Sequence, residues 1–294
     1  MTYFTEREGD LPPATNDDMP DQFVEAIAAE VQGLCDRWWL ARGWPVRCSD
    51  PGGMVIGTDQ NRFWREARAK LNLSVGDISQ LTNEPNRLRV LNLIEFVHEH
   101  VAAPIIAGWH DYFAHNHLNF DGPSGKAQFR ESMNGLFARY GLAYNFTDAG
   151  VVIRRVPEAI GGRLTDARFR TGDAQLDELL EAARTKYLSP DPAVRLEGLE
   201  KLWDALERLK TVEDGKDKKA RVTELIEGAY AEPDARTRID NELNELTKIG
   251  NTYNIRHFEK DRLPLPDDAF VDYLFQRCYS SIYLLLDKTD RIRH

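Results

Sequence analysis

Residues 192–209 read PAVRLEGLEKLWDALERL. Leu196, Leu199, Trp203, Leu206 and Leu209 recur every three or four positions, and Asp204, Glu207 and Arg208 fall on the other side. At 3.6 residues per turn the first set forms one apolar stripe, so the stretch predicts an amphipathic helix with a buried face. The same period continues around it. It predicts further helices over 174–188, 218–230, 233–259 and 267–287, which makes the second half of the chain α throughout. Upstream the pattern breaks over 157–173, where Gly161, Gly162 and Gly172 gather. A domain boundary placed there divides the chain into 1–163 and 164–294.

The first half mixes helix and hairpin signals. After a polar lead-in holding Pro12 and Pro13, residues 20–43 carry Phe23, Ile27, Val31, Leu34 and Trp38 on one helical face, with Gly43 as the stop. Pro51, Gly52 and Gly53 mark a turn, and Asp59 can cap a short helix through Leu71. Leu88, Leu91, Ile94 and Val97 predict a helix over 85–101 that Pro104 closes. Residues 110–121 are aromatic-rich and read as irregular, with His98 and His100 before them as independent surface residues. A helix over 124–140 buries Phe129, Met133 and Leu136 and ends at Gly141. Residues 142–146 and 151–156, around Asp148-Ala149-Gly150, read as a hairpin. The expected fold is therefore mainly α: an N-terminal helical domain ending in a β-hairpin, followed by a C-terminal helical bundle.

Of 294 residues, 42% are hydrophobic and 29% charged, a globular composition that excludes a mainly disordered chain. The net charge of −10 excludes bulk attraction to nucleic acid or anionic lipid, so any polyanion must meet a local basic patch. Cys35, Cys48 and Cys278 are few, odd in number and far apart, as suits reduced thiols. The acidic start fits no signal peptide, and no apolar run is long enough for a bilayer. A cytoplasmic protein without membrane partners is the expectation. Phosphate-loop, dinucleotide GxGxxG and GxSxG nucleophile patterns are absent.

Two polar clusters could carry chemistry. The first follows the apolar run Leu243, Leu246, Ile249 and contains Asn251, Asn254, Arg256, His257, Glu259, Lys260, Asp261 and Arg262. Guanidinium grips phosphate oxygens in pairs and imidazole moves a proton near neutral pH, so Arg256 and His257 are candidates for phosphate chemistry. Asn251, Asn254 and His257 share a face if the helix continues, and Lys248, Lys260 and Arg262 add local positive charge. The same cations fit a helix C-terminus facing its free carbonyls. The second cluster is His110, His115 and His117 with Asp121, a set that could hold zinc or manganese. Packing at the edge of a core, with Trp109, Phe113 and Phe120 buried, accounts for it equally. Arg154 and Arg155 on the second hairpin strand could touch phosphate or simply face water.

The run Leu243-Asn244-Glu245-Leu246-Thr247-Lys248-Ile249-Gly250-Asn251, continued by Tyr253-Asn254-Ile255-Arg256-His257-Phe258-Glu259, resembles the terminal HEPN-type helical domain of bacterial abortive-infection proteins. So do 271–277, Pro190-Asp191-Pro192 with Arg195, 199–205 and 207–211. The front half is similar to the N-terminal domain of AbiJ-like proteins at Tyr3-Phe4, Glu6-Arg7-Glu8, Glu95-Phe96, His115-Asn116-His117-Leu118, Phe120-Asp121 and Gly141-Leu142-Ala143-Tyr144. The resemblance implies a HEPN bundle that pairs as a homodimer. It also implies a metal-independent endoribonuclease without cofactors, acting in antiphage defence on RNA (tRNA or mRNA) after a phage-derived trigger. Arg256 and His257 would form the site, supported by Asn251, Asn254, Lys260 and Arg262. One departure stands out: the family pattern sets four to six residues between its Arg and His, whereas His257 follows Arg256 directly. Adjacent helical residues diverge by about 100°, so the two would converge only at a frayed helix end or across a dimer axis. The alternative is a catalytically silent HEPN dimer that binds RNA, nucleotide or a partner protein. In a further reading the N-terminal domain senses the trigger or binds nucleic acid.

Overall fold

The computed structural model describes residues 7–9, 11–156, 158–253, 255 and 263–293. It is mostly helical, with small antiparallel sheets, and it divides into two compact units, Met1–Arg155 and Val156–His294.

The first unit runs α1 (Asp21–Asp36), β1 (Pro45–Arg47), β2 (Val55–Thr58), α2 (Gln60–Leu71), a short 3-10 helix (Ile78–Asn83), α3 (Leu88–His100), β3 (Ala103–His110), β4 (His115–Asp121), α4 (Gly122–Arg139), β5 (Tyr144–Phe146) and β6 (Val152–Arg154). Helix α1 buries Phe23, Ile27, Val31 and Leu34 as their spacing predicts. It stops before Trp38, however. Trp38 itself takes the left-handed conformation (φ 67°), and the Trp39 N–H donates to the Leu34 carbonyl (2.9 Å), so the terminator is Trp38 and Gly43 is not needed.

Four strands form a sheet in the order β1-β2-β4-β3, and β5 pairs with β6 as the hairpin signal predicts. The sheet corrects the reading of 110–121 as irregular. Residues 103–121 form one antiparallel hairpin with His110 opposite His115, Gly108 opposite His117 and Ile106 opposite Leu118. Two features hide it in the sequence: a bulge between Ile106 and Gly108 shifts the alternation, and Ile106, Trp109 and Tyr112 are exposed. Trp109 and Phe113 are thus not core residues.

His98 is a second correction. It is 6% exposed and packs edge-on against Phe146 and against Gly150, where an added Cβ would lie 2.4 Å from its Nδ1. The hairpin and α4 close over α3 on that side, which no local period reveals. His100 also packs inward, its ring 4.8 Å from both Trp44 and Phe96.

The second unit runs α5 (Glu158–Thr165), β7 (Arg168–Phe169), α6 (Ala174–Tyr187), α7 (Pro192–Leu209), α8 (Lys218–Ala229), α9 (Pro233–Thr252), α10 (Asp268–Lys288) and β8 (Ile292–Arg293). Helices α6 and α7 approach closely because Gly198 leaves room; a Cβ there would lie 2.9 Å from the Tyr187 backbone nitrogen. Tyr187 stacks flat on Phe275 of α10, with ring centroids 3.6 Å apart. Trp203 of α7 fills the space above Gly250 of α9. Helix α9 ends at Thr252, seven residues earlier than its apolar period suggests. Tyr253 is extended (ψ 155°) and bridges to Leu263, whose N–H donates to the Thr252 carbonyl (3.0 Å).

Candidate functional site

The predicted catalytic pair Arg256 and His257, with Asn254, Lys260 and Arg262, lies outside the described residues. Of that group Asn251 is described, exposed in the last turn of α9. The helix that carries Asn251 stops at Thr252, with Tyr253 extended. Lys248, expected in the same cationic patch, pairs with Glu245 (3.4 Å). In the first unit Arg154 is ion-paired to Asp17 (3.2 Å), so of the strand arginines Arg155 is the exposed one.

A different basic feature emerges in the second unit. Strands β7 and β8 pair so that Arg168 lies directly opposite Arg293, with Phe169 opposite Ile292. The two-residue period turns Phe169 and Ile292 toward the core and leaves Arg168, Arg170 and Arg293 exposed. Side chains of these three arginines make no hydrogen bond or ion pair with any described residue. Like charges set directly opposite on paired strands are unfavourable, and no described residue forms an ion pair with them. They border an open cavity of about 1120 Å³ that Lys186, Thr185, Ala182, Asp177, Glu178 and Glu181 also line. Two of those acids are engaged: Asp177 accepts from Thr171, and Glu181 pairs with Arg184. The Arg-x-Arg alternation at 168–170 was a visible signal; Arg293, at the far end of the chain, joins it only through the fold.

The histidine cluster of the first unit gains two residues and loses one. Cross-strand pairing of His110 with His115, and the two-residue step to His117, put three imidazoles at the turn end of the β3–β4 hairpin. Their ring centroids lie 5.2 to 5.4 Å apart. Gly108, opposite His117, has no side chain to crowd them. The β1–β2 turn meets this end, because β2 pairs with β4 at Val55 and Leu118. That turn is set by the Cys48 N–H donating to the Met54 carbonyl (2.8 Å) and by left-handed Gly53. It brings Cys48 and Asp50 to the histidines. The Cys48 sulfur and ring nitrogens of His115 and His117 lie within 4.8 Å of one another, as do donor atoms of Cys48, Asp50 and His110. His110 Nε2 meets the Asp50 carboxylate, while its Nδ1 accepts from the Phe113 N–H (3.3 Å).

Asp121 does not belong to the cluster. It caps α4, accepting from the Ser124 N–H (3.0 Å). It is also at the opposite end of β4 from His115, about 20 Å away at 3.3 Å per residue. Sequence reasoning missed Cys48 and Asp50 because they lie some sixty residues upstream, on a different hairpin.

Comparison of the chain with protein-family models, with characterised proteins and with solved structures gives no match in any of the three.

Proposed function

We propose that this chain is an antiphage-defence protein whose C-terminal helical unit acts on RNA as a HEPN-type, metal-independent endoribonuclease. Arg256 would hold the scissile phosphate and His257 would assist attack by the neighbouring 2′-OH, each supplied across a homodimer. The observation carrying the RNA part is the trio Arg168, Arg170 and Arg293: in a chain of net charge −10, three exposed guanidiniums that form no ion pair with a described residue line one cavity, which Asp177, Glu178 and Glu181 also line. Guanidinium pairs suit phosphate oxygens, and such contacts confer affinity without sequence preference. The assignment to RNA, and to cleavage, rests on the family resemblance around Leu243–Glu259.

The test is incubation of the purified protein with total RNA, with and without EDTA. EDTA-resistant cutting that Arg256→Ala and His257→Ala abolish, with the helical circular dichroism signal retained, supports the proposal. Equal cutting by wild type and both variants overturns it.

A silent RNA-binding dimer is the second reading, favoured by the direct adjacency of Arg256 and His257 and by an arginine trio suited to gripping and not to proton transfer. RNA retention without new ends under any condition selects it.

A further inference from the structure

We propose that Cys48, His115 and His117, closed by the Asp50–His110 pair, bind one zinc-class divalent ion that ties the β1–β2 turn to the β3–β4 hairpin. This site lies in the first unit and is independent of the RNA reading.

Four observations carry it. First, the donors converge on Cys48: its sulfur lies within 4.8 Å of ligand nitrogens of His115 and His117, which lie as close to each other, and within the same distance of donor atoms of Asp50 and His110 in a second triad. Tetrahedral zinc, with bonds of about 2.0 to 2.3 Å, needs donors roughly 3.3 to 3.7 Å apart, so small side-chain movements bring Cys48, His115 and His117 onto one ion, and Asp50, which shares Cys48 with them, turns in as the fourth donor. Second, Nε2 of His115 and Nε2 of His117 are buried without a hydrogen-bond partner. A buried polar atom left without a partner is costly, and two of them on same-face positions of β4, in imidazoles that each bring a ring nitrogen within 4.8 Å of the Cys48 sulfur, call for a shared partner. Histidines merely packed at a core edge would be hydrogen-bonded. Third, His110 and Asp50 form the imidazole–carboxylate couple typical of the outer shell of metal centres. Because the Phe113 N–H donates to Nδ1, Nε2 is the protonated nitrogen and faces the carboxylate. Asp50 therefore offers the fourth oxygen and His110 orients it. Fourth, the sheet is thinly joined at this point: β2 and β4 share one register pair, Val55 with Leu118. An ion held by one turn and one hairpin supplies the crosslink the ladder lacks there.

The donor chemistry selects the metal. A thiolate with two imidazoles and a carboxylate suits zinc, or cobalt as its spectroscopic substitute, and disfavours magnesium and calcium, which take oxygen donors.

The experiment uses the full chain, purified on a tag without histidines, stripped with a chelator and titrated with Zn²⁺ and Co²⁺. Expected are one equivalent bound per chain and a cobalt spectrum with a thiolate charge-transfer band that Cys48→Ser removes. Zinc affinity should fall about 100-fold or more in His115→Ala and His117→Ala. It should fall about 10- to 100-fold in His110→Ala, which acts through Asp50. A measurement on the unsubstituted protein guards against misfolded variants: mass-spectrometric mapping of thiol alkylation, where zinc should slow reaction at Cys48 and leave Cys35 and Cys278 unchanged. Binding that is unaltered in both His115→Ala and His117→Ala, or Cys48 alkylation indifferent to zinc, overturns the proposal.

Discussion

The surroundings of His98 disfavour its charged form: burial, with Lys126 and Arg130 beside it, lowers its pKa below the usual imidazole value of 6.5. Asp148, which lines the same cavity, is paired with Arg130 (2.7 Å). The unfolded chain takes up this proton near pH 6.5 and the folded chain only below it. In that window the unfolded state binds more protons, so stability rises with pH and is lost on acidification. Urea melts should therefore show wild type losing more stability than His98→Gln between pH 7 and pH 5, by at most about 1.4 kcal/mol per pH unit for one proton. Identical pH slopes would remove the role assigned to the ring. Two glycines make a steric contrast at the same scale. Alanine in a helix interior gains about 1 kcal/mol over glycine. Gly135 on α4 has open space around it, so Gly135→Ala should stabilise by roughly 0.5–1 kcal/mol. At Gly250 the new methyl would sit 2.2 Å from Trp203 Nε1, inside a core with no flexible tip to move. Overpacking costs about 1–3 kcal/mol, so Gly250→Ala should lower the melting temperature despite the same propensity gain.

Elements were legible where a single period and a single cap decide them. Aspartates cap α2, α4, α6, α7, α8 and α10, each accepting from a backbone N–H two or three residues on. Asp59 was readable as such a cap; Asp121 drew a metal-ligand reading because histidines precede it. The β3–β4 hairpin was illegible because its bulge breaks the alternation and its aromatics face solvent. Of the candidate site, His110, His115 and His117 were in view from the sequence, but Cys48 and Asp50 become neighbours only through the Val55–Leu118 pairing. The arginine strands are the same case, since β7 and β8 are separated by the entire helical run. That pair carries a prediction of its own. Each phosphate contact adds about 0.7 to the slope of log affinity against log salt on single-stranded RNA. Anisotropy titrations across a salt series should thus show Arg168→Ala/Arg293→Ala binding RNA more weakly, with a slope shallower by about 1.4. An unchanged slope would mean the two guanidiniums do not meet the backbone.

At the scale of the molecule, the buried described residues form two cores. One core is built around Phe23, Ile27, Trp44, Phe96 and Phe137, the other around Tyr187, Trp203, Leu206, Phe275 and Tyr279, and no described residue belongs to both. Each unit exceeds the size at which a single hydrophobic core sustains a fold without staples. Two cooperative melting transitions are therefore expected in the full chain, and fragments cut at the Arg155–Val156 junction should reproduce one each. The metal cluster lies entirely within the first unit. Since a ligand that binds only the folded form stabilises in proportion to the logarithm of its concentration over Kd, zinc at a hundredfold excess over Kd adds about 2.7 kcal/mol to that unit alone. Calorimetry with and without a zinc chelator should shift one transition downward by several degrees and leave the other in place. The shifted transition should be the one that fragment 1–155 retains. Were both transitions to move together, the two cores would be thermodynamically coupled, and the separation by burial would not extend to stability.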